Sequence, residues 1–312
     1  MEKMIIIAGP TASGKSAAGV ELAKRLNGSI ISADSMQVYR GMDIGSAKIT
    51  PEEMDGIPHA LIDVIDPKEE WNVVRFQQEA GKAATQIAGA GRLPILVGGT
   101  GFYIQALLYD IDFTATKQDD AFRRALEEKA EQEGPESLHK MLEEADPAAA
   151  EAIHPNNVKR VIRALEYARE TGLRISDHNT EQRQRPPACD AVYFVLTMER
   201  EKLYRRIDLR VDQMMEAGLL AEVCRLKEEG LSLQDVSMQG LGYKQLLEYL
   251  DGKWTLEEAV EQIKLQTRHF AKRQLTWFRR EKNVIWIHAD EFSSRDAMVD
   301  EMEATARQRL LR

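Results

Sequence analysis

The sequence predicts an α/β fold, a P-loop-type doubly wound parallel sheet carrying an all-helical insertion. Three observations lead there. Short apolar runs alternate with helical periods through the first hundred residues, the pattern of βαβ units. The first run, residues 4–8, leads into Gly9-Pro10-Thr11-Ala12-Ser13-Gly14-Lys15-Ser16. That is a G-x-x-x-x-G-K-[ST] phosphate loop in the strand-to-helix setting that gives the motif meaning. From residue 116 to residue 187 the strand signal stops and helical segments take over. The expected organisation is an α/β core of 1–115 and 188–312, with 116–187 as a helical insertion domain.

The 312 residues are 30% charged and 43% hydrophobic, ordinary for a soluble globular protein with room for a large core and a smaller companion. No N-terminal apolar run is long enough for a spanning helix or a secretory signal. A cytoplasmic protein with no membrane partner is expected, acting as a monomer. Cys189 and Cys224 stand alone and suggest neither a disulfide framework nor a zinc site. A net charge of −9 counts against a uniformly basic, nucleic-acid-binding surface, so any such contact must come from local clusters.

In the phosphate loop, glycines let backbone N–H groups close around phosphate oxygens. The helix N-terminus adds partial positive charge. Lys15 brings a full charge, and the Ser16 hydroxyl suits a Mg²⁺ ligand. The motif specifies phosphate and does not specify ATP. Residues 29–33 read as the second strand, which delivers Asp34-Ser35-Met36-Gln37 to the C-terminal edge of a strand. Open parallel sheets bind ligands at that edge. Asp34 could act there chemically or simply cap a turn. Residues 41–58 read as loop, 59–65 as a short strand, 71–90 as a helix and 93–97 as a buried strand. That strand ends in Gly98-Gly99-Thr100-Gly101-Phe102-Tyr103, a second glycine turn that sets Thr100 on the same sheet edge.

In the insertion, helices are expected at 121–133 and 137–144, with a third beginning at Asp146-Pro147, where Pro takes the first helical position. Asn157 should cap the helix that follows. On it Val158, Val161, Ile162 and Leu165 share one face, and Lys159, Arg160 and Arg163 lie opposite. The basic face is either merely solvated or a phosphate contact. Gly172 ends the helix, and Arg183, Arg185, Pro186 and Pro187 read as a mobile basic linker.

The strand pattern resumes at 191–196. In the next helix, 201–217, Arg206 and Arg210 are four apart. They could grip a diphosphate or pair on the surface with Asp208 or Asp212, the blander and slightly favoured reading. Residues 218–229 form another helix, and 238–245 a flexible glycine turn with Tyr243 and Lys244. A capping box of Thr255 and Glu258 opens a long helix whose Val260, Ile263, Thr267, Phe270 and Phe278 face the core. Arg268, Lys272, Arg273, Arg279, Arg280 and Lys282 make the densest basic patch, compatible with RNA. Residues 284–288 are a last strand, followed by an exposed helical tail.

A phosphate loop usually serves a triphosphatase or small-molecule kinase, with an acid for Mg²⁺ at the end of an apolar strand. The turn after Val97 has none; Asp34 and Asp63 are the available carboxylates. Taken in order, however, the blocks Gly9–Ser16, Ser32–Tyr39, Gly98–Tyr103, His154–Asn157 with Arg160 and 163–166, Arg206 with Arg210, Gly240–Tyr243 and Lys272–Trp277 resemble the isopentenyltransferase family. They span nearly the whole chain. The chain carries no C-terminal zinc finger of the kind eukaryotic members often have, which favours the bacterial type.

The resemblance implies transfer of a dimethylallyl group from dimethylallyl diphosphate to N6 of adenosine 37 in tRNA, next to the anticodon. Residues 9–16 would hold the diphosphate, and Lys15, Arg210 and Mg²⁺ at Ser16 would neutralise it as it leaves. Asp34 suits the base that takes the amine proton. Thr100 would orient the diphosphate or Asp34. Asp34, Ser35, Met36 and Gln37 would hold the flipped adenine, with Gln37 bonding its edge. Lys159, Arg160, Arg163, Gly242, Tyr243, Lys272, Arg273 and Arg279 would meet the anticodon stem-loop. Two other classes stay open, an ATP-dependent small-molecule kinase and a non-catalytic P-loop RNA-binding protein. A free-nucleotide prenyltransferase would not need the insertion or the basic helix.

Overall fold

The computed structural model describes residues 3–113 and 120–310; the expected boundary at residue 116 lies outside them. The chain divides into two compact units, Met1–Asp110 with Pro187–Arg312, and Ile111–Pro186. In chain order the first unit begins with β1 (Lys3–Ala8), α1 (Lys15–Arg25), β2 (Gly28–Ser32), α2 (Pro51–Met54), β3 (His59–Ala60), α3 (Val73–Gly89), β4 (Leu93–Gly98) and α4 (Gly101–Leu108). The second unit holds α5 (Asp120–Glu133), α6 (Pro135–Ala145), α7 (Pro147–Ala152), α8 (Val158–Thr171) and α9 (Ile175–Gln184). The first unit then resumes with β5 (Asp190–Thr197), α10 (Arg200–Glu216), α11 (Leu219–Glu228), α12 (Tyr243–Leu250), α13 (Leu256–Phe278), β6 (Val284–His288) and α14 (Arg295–Leu310).

The sheet order is β3-β2-β4-β1-β5-β6, and every pairing is parallel. A parallel sheet must be covered on both faces, which is why its strands read as unbroken apolar runs. Alternation along β1 divides the core. Met4, Ile6 and Ala8 pack toward a cluster with Phe76 of α3, Ile104 of α4, Val223 of α11 and Phe278 of α13. Ile5 and Ile7 pack toward Ala18 and Leu22 of α1 and Met298 and Met302 of α14. Because β1 lies between β4 and β5, its phosphate loop emerges at the switch point of the sheet, where such folds place ligands.

Several expectations are corrected. The tail is not exposed: Met298, Val299, Met302, Ala306 and Leu310 of α14 are buried, with α14 sharing a face of the sheet with α1. The strand expected over 59–65 stops after two residues, because Leu61 (φ 65°) and Asp63 (φ 53°) are left-handed; only a single bridge, Tyr39 to Ile65, continues it. The loop over 41–58 contains one helical turn, capped reciprocally by Thr50 and Glu53. Arg183 belongs to α9, so the basic linker is shorter than expected. Asn157 stands at the N-cap of α8 without a side-chain cap bond.

The second unit packs around Leu126, Leu138, Leu142, Val161, Ile162 and Leu165. Buried Asp146 ties two of its helices together. It accepts the Ala149 N–H at 3.0 Å and the Ser176 hydroxyl at 2.7 Å. Burial pushes its carboxyl up, but these donors outweigh burial and hold it below the usual range.

Candidate active site

The phosphate loop is built where only its own residues fit. Gly9 has φ +153°, and a Cβ there would lie 2.5 Å from the carbonyl oxygen of Leu196 on β5. Gly14 (φ 92°) sits at the N-cap of α1, whose first turn contains no acidic residue. The N–H groups of that turn have no intrahelical acceptors and face an anion by default. The Ser13 hydroxyl is buried with no hydrogen-bond partner among the described residues. Such an atom is expected to have a partner, and a bound phosphate oxygen would be one.

Three cations gather at this loop. Burial lowers the pKa of Lys15 to about 8; the Asp34 carboxylate works in the opposite direction, and Arg210 adds to the lowering. Burial likewise depresses the Arg210 guanidinium, helped by Arg206 and opposed by Glu53. The Arg206 guanidinium lies 3.8 Å from where a Gly14 Cβ would stand. The expected surface pairing of these arginines does not occur. Asp208 is taken by Arg268 at 2.5 Å and Asp212 by Lys264 at 2.7 Å. Arg206 is exposed; burial of Lys15 and Arg210, and repulsion of Arg210 by both neighbours, raise the energy of the group, and an anion of high charge relieves both.

Asp34 does two things at once. Its Oδ1 accepts the Met36 N–H at 2.9 Å and, more weakly, the Gln37 N–H at 3.4 Å. Its Oδ2 makes no hydrogen bond among the described residues, so capping the turn leaves one oxygen available. The Thr100 N–H donates to the Ala33 carbonyl at 3.3 Å, which brings the second glycine turn beside Asp34. The Gln37 amide is already engaged. Its Nε2 donates to Ala47 at 3.2 Å, and its Oε1 accepts from Ser32 at 3.4 Å. Each end of the amide keeps one further hydrogen-bonding position, and Gln37 is partly exposed, so these bonds orient the side chain without using up its capacity for an adenine edge. Ser35 and Met36 are partly exposed.

Gln274, on α13, lies in the Lys272–Trp277 block, but the block alone assigns it no role in the site. Its Oε1 accepts the Thr11 N–H and its Nε2 donates to the Gly99 carbonyl, both at 2.9 Å. One buried amide thus clamps the phosphate loop to the Thr100 turn. A Cβ at Gly99 would fall 2.3 Å from that Nε2 and would push the amide off the clamp. Gln274→Leu strands two partly or fully buried polar groups, each costing about 1–3 kcal/mol. We expect thermal unfolding to show a loss of that order and donor KM to rise as the two loops uncouple.

Gly242 and Tyr243 are corrected as RNA contacts. Tyr243 has no exposed surface; it opens α12, and its hydroxyl donates to Glu222 at 2.7 Å. Glu222 is itself buried and accepts the N–H groups of Asp43, Ile44 and Gly45. The pair anchors the loop that follows the Asp34 turn. Burial, with the Glu222 charge, pushes the Tyr243 hydroxyl far above its ordinary range. Tyr243→Phe removes one charge-assisted bond, so we expect a stability loss of about 1.5–3 kcal/mol in denaturant melts with tRNA affinity unchanged.

Of the remaining basic residues, Lys159 and Arg160 are exposed on α8 and Arg163 is partly buried, all in the second unit. Lys272, Arg273 and Arg279 are exposed at the C-terminal end of α13 in the first. Thr267, Val260 and Phe270 are only partly buried, while Ala259, Ala271 and Gln274 join Ile263 and Phe278 as the buried positions of α13. Ser16 is exposed in the first turn of α1. No cluster of three acidic, His or Cys groups fit to hold a metal occurs among the described residues.

A phosphate loop ringed by Lys15, Arg206 and Arg210, with one aspartate at the neighbouring strand edge, defines an enzyme site for a phosphorylated substrate. Comparison narrows the class. A family model described as IPP transferase matches residues 37–281, and one described as Isopentenyl transferase matches residues 2–65. The chain belongs to the IPP transferase family. It is 56% identical over 302 residues to the tRNA dimethylallyltransferase of Lachnoclostridium phytofermentans, covering 97% of this chain and 96% of that one. Identity to the tRNA dimethylallyltransferase of Acetivibrio thermocellus is 50% over 303 residues, 97% of each. The crystal structure of the tRNA isopentenylpyrophosphate transferase of Bacillus halodurans is similar over 100% of this chain and 97% of that one, with TM-score 0.76 and 47% identity.

Proposed function

We propose that this enzyme transfers a dimethylallyl group from dimethylallyl diphosphate to N6 of adenosine 37 in tRNA, releasing diphosphate. The family and its tRNA-prenylating relatives favour this over the ATP-dependent kinase. The observation that carries the chemistry is the group of three cations at the phosphate loop, none of them in an ion pair among the described residues, with Asp34 keeping one oxygen clear of hydrogen bonds beside them.

The N6–C bond forms as the allylic C–O bond breaks. The amine proton passes to Asp34 Oδ2, and the negative charge passes to the leaving diphosphate. That charge is where Lys15, Arg206, Arg210 and the loop N–H groups act. Thr100, tied to the Asp34 turn, orients the donor or the base. Mg²⁺ fits the donor set, one hydroxyl from Ser16 and no acidic cluster among the described residues, because this ion keeps several waters and takes phosphate oxygens as ligands. When bound it would share the charge of the diphosphate.

Exposed Lys159 and Arg160, with Arg163, and exposed Lys272, Arg273 and Arg279 supply cationic surface for the backbone of the anticodon stem-loop. No described helix is long and apolar enough to cross a membrane, and the reading takes the enzyme as a cytoplasmic monomer. Diphosphate release is the test. It should require both dimethylallyl diphosphate and tRNA, with nothing gained from ATP. Turnover of ATP that ignores tRNA would overturn it.

A further inference from the structure

Beside the phosphate loop lies a cleft of about 520 Å³, at the ends of β5 and β6. Arg200 and Tyr204 of α10, Lys272 of α13 with Arg279 at its C-cap, and Trp286 and His288 of β6 line it. None of the reacting groups belongs to it. It nevertheless adjoins the site: Ala12 of the phosphate loop packs in one apolar cluster with Met198, Leu203, Tyr204 and Leu275.

The chemistry of the lining is specific. Arg200, Lys272 and Arg279 bring three positive charges, and no carboxylate lines the cleft. None of the three makes an ion pair among the described residues. In a chain of net charge −9 this is a local inversion of sign, which favours a polyanion. The Arg200 guanidinium lies 5.2 Å from the centre of the Tyr204 ring, so a cation and an aromatic face are presented together. Trp286 adds a second, half-buried ring. The volume falls within the range of small-ligand sites. Aromatic faces and guanidinium planes beside free cations are how proteins hold unstacked bases of single-stranded RNA.

We propose that this cleft receives one unpaired nucleotide of the RNA substrate, distinct from the adenosine that reacts. Its base stacks on Tyr204 and its phosphate sits between Lys272 and Arg279. The inference rests on the tRNA reading above. It adds a second anchored base, which would hold the loop open while the target adenine is turned into the site.

The test uses the full chain and an anticodon stem-loop RNA carrying 2-aminopurine at one loop position at a time. One position other than the target should lose fluorescence on binding the wild type. Tyr204→Ala should abolish that quenching and weaken RNA binding about tenfold or more, with donor affinity kept. Tyr204→Phe should retain both effects. Arg279→Gln should keep the quenching and lower the salt slope of binding by about one. If Tyr204→Ala also loses the donor, Arg200→Gln and Arg279→Gln decide. Unchanged RNA affinity and salt slope in both would overturn the proposal. Wild type that prenylates the RNA while no non-target position is quenched would overturn it alone. Wild type that neither binds nor prenylates the RNA would overturn it together with the tRNA reading.

Discussion

Asp34→Asn should lower the rate of prenyl transfer by about 10²–10⁴-fold, the usual contribution of a positioned general base, while tRNA still binds. The substitution is chosen because the amide oxygen can still accept the Met36 N–H that Oδ1 accepts at 2.9 Å. The turn then survives and only the proton acceptor is lost. Asp34→Ala removes both, so it should be as inactive as the amide and less stable. Single-turnover assays with saturating tRNA separate the cases. Near wild-type turnover in the Asn variant would reduce Asp34 to a turn cap.

Lys15→Met should cost about 10²–10³-fold in kcat/KM for the donor, the scale of removing one preorganised charge from a transition state. The same substitution should stabilise the free protein, because it removes a cation that burial disfavours. The pH dependence follows from the lowered pKa. In the unfolded chain Lys15 titrates at its ordinary 10.5, and in the fold at about 8. Between those values the unfolded state binds more protons, so this group makes stability rise with pH across that window and carries its full burial cost below about 8. Lys15→Met should flatten that rise in pH-dependent melts.

Donor binding runs the other way. Only the protonated amine attracts diphosphate, so kcat/KM for the donor should fall as pH rises through about 8, where burial has lowered Lys15. Calorimetry in two buffers of different ionisation enthalpy should detect a proton taken up on donor binding above that pH. Binding without proton uptake would place another group in the role given to Lys15.

The phosphate loop, the Asp34 turn and the Thr100 turn were legible because each is a local motif at the end of a strand, where spacing alone predicts geometry. Gln274 was not legible, since its partners Thr11 and Gly99 stand 263 and 175 positions away in sequence. A polar residue on an amphipathic helix gives no sign of which distant backbone it will meet. Glu222 was hidden for the same reason, and with it the burial of Tyr243. The fate of Arg206 and Arg210 depended on where Asp208 and Asp212 point, and α13 took both carboxylates through Arg268 and Lys264. The burial of α14 is masked in the sequence because charged residues are interleaved with its apolar stripe of Met298, Val299, Met302 and Ala306. The strand over 59–65 failed on two left-handed non-glycine residues, Leu61 and Asp63, which composition does not announce.

The most direct measurement is mass spectrometry of hypomodified tRNA after incubation with the protein, Mg²⁺ and dimethylallyl diphosphate, with ATP in a parallel tube. The expected result is one added dimethylallyl group on a single adenosine, mapped by fragmentation to position 37, and no change with ATP alone. Unmodified tRNA in the first tube, with ATP consumed in the second, would contradict the transferase and return the phosphate loop to phosphoryl transfer.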